Sequence, residues 1–225
     1  RAGVNAGNSI ESGGNYNVLV GDEAGTAITT GDQNVALGYQ AGLSQTTATQ
    51  NTLIGAKAGD ALTTGGQNVA LGYNALNSDT LGTASVAIGR SALGAQNFTS
   101  ATNAYNVAIG YTAGAVLTTG VNNTLIGGLA GDAITTGGYN TALGSEALSS
   151  TTTASNNVAL GSDTLYANTT GSNNVAVGNL ALDANTTADN NTAVGVSALT
   201  ANTTGAQNTA SGVRALGGNT TGGDN

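Results

Sequence analysis

A five-residue segment of the form Asn-Val-Ala-Leu-Gly returns along this chain at a fixed interval. Close variants begin at Asn17, Asn34, Asn51, Asn68, Ser85, Asn106, Asn123, Asn140, Asn157, Asn174, Asn191 and Asn208. Ten of the eleven intervals between them are seventeen residues; the exception, Ser85 to Asn106, is twenty-one. A short period held over a whole chain means stacked, near-identical units, each unable to bury its apolar face alone. Such a stack makes length, and it makes rows of like side chains.

Numbered from the Asn as position 0, position 1 is Val or Thr, position 2 is Ala or Leu, and position 3 is Val, Ile or Leu except at Ser211. Position 4 is glycine in every copy: Gly21, Gly38, Gly55, Gly72, Gly89, Gly110, Gly127, Gly144, Gly161, Gly178, Gly195 and Gly212. Small or branched apolar residues closed by glycine read as a short strand and a turn. An invariant glycine marks a positive φ or a backbone too close to its neighbour for a Cβ. A helix is excluded, because Gly, Thr and Asn are poor helix formers and no amphipathic stripe is present. Stacked strands pair at about 4.8 Å per coil, so thirteen coils would span roughly 60 Å.

A second arm of each repeat balances its volume. Position 7 is Ala in all copies but Thr164. Where position 8 is Gly25, Gly59, Gly114 or Gly131, position 11 is Ile28, Leu62, Leu117 or Ile134. Where position 8 is Leu76, Leu148, Leu165, Leu182 or Leu199, position 11 is polar: Asp79, Thr151, Asn168, Asn185 or Asn202. The coil at Asn34 carries Leu43 at position 9 instead. One large apolar group per coil, from one of two places, is the expectation for a close-packed interior.

In the first arm, strand geometry turns positions 1 and 3 one way and position 2 the other. Position 2 is apolar throughout, so if one face fills the coil the other is an apolar ladder twelve rungs long. A patch of that size predicts a partner chain.

Composition narrows the chemistry. Among 225 residues there is no Cys, Met, Trp, His or Pro, which removes disulfides, thiolate ligands and imidazole bases. Arg1, Lys57, Arg90 and Arg214 are the only cations and the net charge is -8. Four scattered cations give no basic stripe for nucleic acid. No apolar run approaches the length of a membrane span, and no leader peptide is legible. The start at Arg1 and the in-phase end at Asn225 are read as those of a piece of a longer protein.

The segments Asn106 to Gly110 and Ser85 to Gly89 resemble the head repeats of YadA-like trimeric autotransporter adhesins. The fuller pattern at Asn173 to Gly178, Ala181 to Leu182 and Asn202 to Gly205 is similar to repeats in phage tail-fibre proteins. The resemblance covers nearly the whole chain after about residue 15. It implies a left-handed parallel β-roll, three chains per assembly, and an extracellular or virion-surface location. The autotransporter heads have shorter coils, so their coil outline does not carry over. No neck, stalk or anchor is legible, which favours the tail fibre over the adhesin.

Several columns are candidates for function. The Asn column (Asn17, Asn34, Asn51, Asn68, Asn106, Asn123, Asn140, Asn157, Asn174, Asn191 and Asn208) reads as a structural amide ladder or turn cap. The Thr-Thr column at positions 12 and 13, from Thr29/Thr30 to Thr220/Thr221, suits a strand or turn; an outward row of it is also what an ice-binding solenoid uses. The triplets at Asn168, Asn185, Asn202 and Asn219 match the N-glycosylation pattern. Asp22, Glu23, Asp32, Asp60, Asp132, Glu146, Asp163, Asp183 and Asp189 are the carboxylates considered for Ca²⁺, but the calcium β-roll signature is missing and none is paired for acid–base work. The four-residue excess between residues 94 and 105 holds Gln96, Asn97, Phe98 and Thr99, with Tyr105 beside it, and reads as a receptor-contact loop. Tyr39, Tyr73 and Tyr111 share position 5 and read as a carbohydrate-stacking row or as edge packing.

These readings predict an all-β parallel β-roll or solenoid with residues 1–16 as an irregular lead-in or atypical first coil, and 17–225 as the array. They predict a homotrimeric, non-enzymatic fibre segment without metal or cofactor, supporting attachment to a host-surface glycan or protein. A bacterial adhesin head and an ice-binding solenoid are the alternatives.

Overall fold

The computed structural model describes residues 2–225; Arg1 lies outside the described residues. The protein is all-β, a parallel β-solenoid with a seventeen-residue coil and no helix among the described residues. It divides into two units, the first ending at Thr112 and the second beginning at Ala113.

In the first unit, three-residue strands occupy positions 1 to 3: β1 (Val18–Val20), β2 (Val35–Leu37), β3 (Thr52–Ile54), β4 (Val69–Leu71), β6 (Val86–Ile88) and β8 (Val107–Ile109). Each pairs in parallel with the next, position on position: Val18 with Val35, Val69 with Val86, and Val86 with Val107. The last of these spans the longer interval, and the excess leaves through a side pairing of β5 (Gly82–Thr83) with β7 (Thr102–Asn103). Residues 2–16 are hydrogen-bonded onto the coil that follows: Ala2 bridges Val20, and the Gly7 N–H donates to the Ala24 carbonyl at 3.0 Å. In the second unit, β9 (Thr124–Ile126), β10 (Thr141–Leu143), β11 (Val158–Leu160), β12 (Val175–Val177), β13 (Thr192–Val194) and β14 (Thr209–Ser211) repeat the same parallel register.

Position 2 faces inward. Leu19, Ala36, Leu53 and the Ala and Leu residues above them are buried, together with the position-7 alanines. The polar exception at position 7, Thr164, is also buried; its hydroxyl donates to the Gly161 carbonyl at 2.6 Å. Positions 1 and 3 therefore form the outward face.

The exchange between positions 8 and 11 is a packing rule of the interior. Ile28, Leu62, Leu117 and Ile134 are buried opposite a glycine, and Leu76, Leu148, Leu165, Leu182 and Leu199 are buried where position 11 is polar. Position 8 has nearly the same left-handed backbone either way, φ 56° at Gly25 and 52° at Leu76. The coil at Asn34 departs from the expectation. Leu43 at position 9 is half-buried, and Gln45 at position 11 takes the interior place. Neither end of the Gln45 amide has a hydrogen-bond partner.

Backbone conformation explains the glycine column. Position-4 glycines have φ between +122° and +146°, which L side chains rarely adopt. A Cβ at Gly55 would also lie 2.5 Å from the Gly72 carbonyl oxygen one coil on. Positions 6 and 16 are left-handed too, but they carry ordinary residues such as Gln40 at 57° and Gln33 at 59°. Position 16 is largely exposed, whereas position 6 is half-buried at Gln40, Lys57 and Asn74.

Two stability changes follow. Gly55→Ala combines a disallowed φ with a backbone clash and lowers unfolding free energy by about 3 kcal/mol in denaturant titration. Gln45→Leu restores the apolar residue that accompanies glycine at position 8, removes a stranded amide, and raises stability by about 2 kcal/mol in the same assay.

Candidate interaction surface

The outward strand face is a regular apolar surface in each unit. In the first unit it carries Val18, Val20, Val35, Leu37, Ile54, Val69, Leu71, Val86, Ile88, Val107 and Ile109, none of them buried. Leu37 is 43% exposed and Leu71 41%. In the second unit the face is Ile126, Leu143, Val158, Leu160, Val175, Val177 and Val194, with Thr124, Thr141 and Thr192 at position 1. One side chain at each position, repeated once per coil, makes two parallel files per unit.

Polar columns bound this face. On the position-16 side of the first unit, exposed Gln33, Gln50 and Gln67 join amide to amide, with Gln50 Nε2 donating to Gln33 Oε1 at 3.1 Å and Gln67 Nε2 to Gln50 Oε1 at 3.3 Å. On the position-5 side stand Tyr39, Tyr73 and Tyr111, each about half exposed. Arg90, between the last two, lies 5.5 Å over the Tyr111 ring and donates to its hydroxyl at 2.8 Å.

The position-0 Asn column is internal. Asn34 Nδ2 donates to the Ala48 carbonyl at 2.8 Å, and Asn34 Oδ1 accepts the Asn51 N–H at 3.0 Å. Asn51, Asn68, Asn140, Asn157 and Asn174 repeat both bonds. These residues hold coils together and present no amide to a ligand.

Position 11 of the second unit forms another internal ladder. Asn185 Nδ2 donates to Asn168 Oδ1 at 2.9 Å and to the Ala188 carbonyl at 3.1 Å. Asn168, Asn185 and Asn202 are fully buried, so their Asn-Thr-Thr triplets offer no glycan acceptor in the folded chain; Asn219 is partly buried and also donates to Asn202 Oδ1.

The two threonines of positions 12 and 13, which lie in a bend, have different fates. Position 12 is half-buried, and its hydroxyl bonds the next coil: Thr46 Oγ1 donates to the Thr63 carbonyl at 3.2 Å, and Thr169 Oγ1 to Thr186 at 3.0 Å. Position 13 is exposed at Thr30, Thr47 and Thr64 in the first unit and from Thr119 to Thr204 in the second. The neighbouring position 15 varies among Val121, Gly138, Ser155, Ser172 and Asp189, so the exposed threonines make a single file without a matching second one.

The four-residue excess divides. Gln96 is fully buried and Phe98 5% exposed, whereas Asn97, Thr99 and Tyr105 face solvent. Gln96 Nε2 donates to Asp79 Oδ2 at 2.7 Å and to Ser85 Oγ at 2.9 Å, and Gln96 Oε1 accepts from Asn106 Nδ2 at 2.9 Å. Asp79 also accepts the Gly82 N–H at 3.0 Å. The sequence gives no direct sign of this network; the clue is that Ser85, the one position 0 that is not Asn, lies in the coil that carries the extra residues.

Among the described residues no group of three or more carboxylates gathers closely enough to hold a metal ion. A shallow cavity of about 280 Å³ in the second unit is lined by Glu146, Asp163, Tyr166, Leu180 and Asp183. Asp183 Oδ1 accepts the Thr200 hydroxyl at 2.6 Å and Asp163 Oδ2 the Ser162 hydroxyl at 2.8 Å, so part of that charge is already spoken for. Asp60 has its carboxyl raised above the ordinary value by burial, against the opposing pull of Lys57. Its folded form holds a proton more tightly than its unfolded form, so this group's penalty is full at neutral pH and fades as pH falls through the raised folded value. Asp60→Asn removes that dependence: a plot of the variant's stability minus the parent's against pH is positive at pH 7 and falls toward acid.

Comparison with known proteins finds no matching family, no matching curated protein and no matching solved structure.

Proposed function

We propose that this chain is a structural segment of an extracellular fibre, of the phage tail-fibre kind, which supports attachment to a host surface and assembles as a homotrimer. The observation that carries the reading is the outward strand face, with an apolar file at position 3 in both units and a second, largely valine file at position 1 in the first. Only a surface with the same coil spacing stays in step with those files along their length, and another copy of this chain has it. Association removes water from Leu37, Leu71, Leu143 and their neighbours at roughly 25 cal/mol per Å². The polar Gln column and the aromatic column then lie at the rim, the usual anatomy of an interface.

The role is non-enzymatic. The sequence has no His or Cys, and of the three carboxylates lining the second-unit cavity two already accept hydroxyl hydrogen bonds. A stiff spacer suits this chain: coil-to-coil hydrogen bonds run through the strands, the Thr arm and the Asn column, and four basic residues leave little for proteases that cut after Lys or Arg. A bacterial adhesin head is the same reading with a different owner. Ice binding would rest on the position-13 threonines alone, and a single file is a poor match to a two-dimensional lattice.

Light scattering of the purified chain tests assembly. The expected mass is three times that of one chain, and the triple variant Leu37→Lys, Leu71→Lys, Leu143→Lys, with its substitutions confined to the outward face, falls to monomer while keeping its β circular dichroism. A monodisperse monomer of the parent chain sinks the reading.

A further inference from the structure

We infer that the position-5 tyrosines of the first unit form a binding track for an extended β-1,4-linked polysaccharide, with Tyr39, Tyr73 and Tyr111 as successive stacking platforms. The inference rests on the attachment role proposed above and names the ligand class it would serve.

The spacing is the main observation. Tyr39, Tyr73 and Tyr111 occupy position 5 of the first, third and fifth of five consecutive coils, with Ala56 and Arg90 on the coils between. At about 4.8 Å per coil the platforms recur every ~10 Å. A β-1,4-linked glucose or N-acetylglucosamine chain turns over by half a revolution per sugar, so it shows the same ring face once per disaccharide, at close to that interval. The longer interval between Ser85 and Asn106 leaves the row intact, because β6 and β8 keep position-on-position register.

The platforms are accessible and fixed. Tyr39 is 51% exposed, Tyr73 50% and Tyr111 54%. Their backbone is locked: the Tyr39 carbonyl accepts the Lys57 N–H and the Tyr73 carbonyl the Ser91 N–H, both at 2.9 Å. A row whose backbone is already ordered leaves only side-chain freedom to be lost on binding. On the strand side of the first two platforms lies the file of Leu37 and Leu71 that the trimer seam would cover, which leaves the tyrosines at its rim. Polar groups flank the first platform on the other side, where Gln40 Nε2 bonds Glu23 Oε2 at 2.7 Å, and Arg90 lies 5.5 Å over one face of the Tyr111 ring, which leaves the opposite face to a sugar. Pyranose rings with equatorial hydroxyls have this division, with C–H faces for the aromatic rings and hydroxyl edges for amides, carboxylates and guanidinium.

Ala56 strengthens the case for a ligand over edge packing. A small residue between Tyr39 and Tyr73 leaves the row open where a continuous aromatic seam would fill it. The other exposed tyrosines, Tyr16, Tyr105, Tyr139 and Tyr166, fall at positions 16 and 9 and make no such row.

Isothermal titration of the full chain with cellohexaose and chitohexaose tests the track, with maltohexaose as the α-linked control. At least one β-linked hexasaccharide binds, its disaccharide binds more than about tenfold less tightly, and maltohexaose gives no heat. Tyr73→Ala weakens hexasaccharide binding more than about tenfold, Tyr73→Phe retains it, and Tyr139→Ala leaves it unchanged. No heat from either β-linked hexasaccharide overturns the inference, and so does equal binding of maltohexaose or an equal loss in Tyr139→Ala. A chain that is trimeric by light scattering yet ignores both glycans defeats the track and leaves the fibre; a monomer that binds through Tyr73 does the reverse.

Discussion

In most coils the hydrogen bonds of one asparagine side chain close the coil and fix the next. An amide has one donor and one acceptor end, and the position-0 asparagines use them in different directions. The Nδ2 end of Asn51 reaches the Gly65 carbonyl fourteen residues on, at the corner where its own coil finishes. The Oδ1 end accepts the Asn68 N–H seventeen residues on, where the next coil starts. Both partners are buried backbone groups that would otherwise lie unpaired, at a cost of about 1–3 kcal/mol each. The strands are only three residues long, too short to fix register by themselves. A side chain that measures fourteen and seventeen residues along the chain does so, and it puts position 1 of one coil opposite position 1 of the next.

The coil at Ser85 shows how that constraint survives a break in the pattern. Ser85 donates its N–H to Asn68 Oδ1 like any other rung, but its hydroxyl is too short to reach across the coil. Gln96, at position 11, supplies the missing length and joins Asp79, Ser85 and Asn106. Asp79 gathers the Gly82 and Phe98 N–H groups at the point where the extra residues leave, and Phe98 folds back over the coil. The excess residues thus serve the interior first, through Gln96 and Phe98, while Asn97, Thr99, Ser100, Ala101, Asn103 and Tyr105 remain available to solvent.

Burial inside and display outside follow from the same stacking. A column that points inward must keep constant volume, hence the exchange of Gly and Leu at position 8 against position 11. A column that points outward is free to vary, and its departures carry information. Position 5 runs through Asp22, Tyr39, Ala56, Tyr73, Arg90 and Tyr111 in the first unit, then Gly128, Ser145, Ser162 and Asn179 in the second. Aromatic residues on alternate coils in one unit and none in the other are a local specialisation that the scaffold does not require.

The period, the parallel pairing and the glycine column were legible from the chain alone, since each repeats twelve times and an invariant glycine among apolar neighbours has few physical explanations. The need for an outward apolar file was legible too, because three consecutive apolar residues in a strand cannot all face one interior. Which file turns outward was decided only by the folded coil: position 2 is the small Ala or Leu that fits inside, and positions 1 and 3 are left to the surface. The left-handed corners at positions 6 and 16 gave no sign in the sequence, because ordinary residues such as Gln, Glu, Tyr and Asn occupy them in place of glycine. The stranded amide of Gln45 and the inward turn of Gln96 were equally hidden. Local pattern assigns a residue to a column, but the hydrogen-bond partners of a buried amide such as Gln96 are set by residues ten to seventeen positions away, brought beside it by the stack.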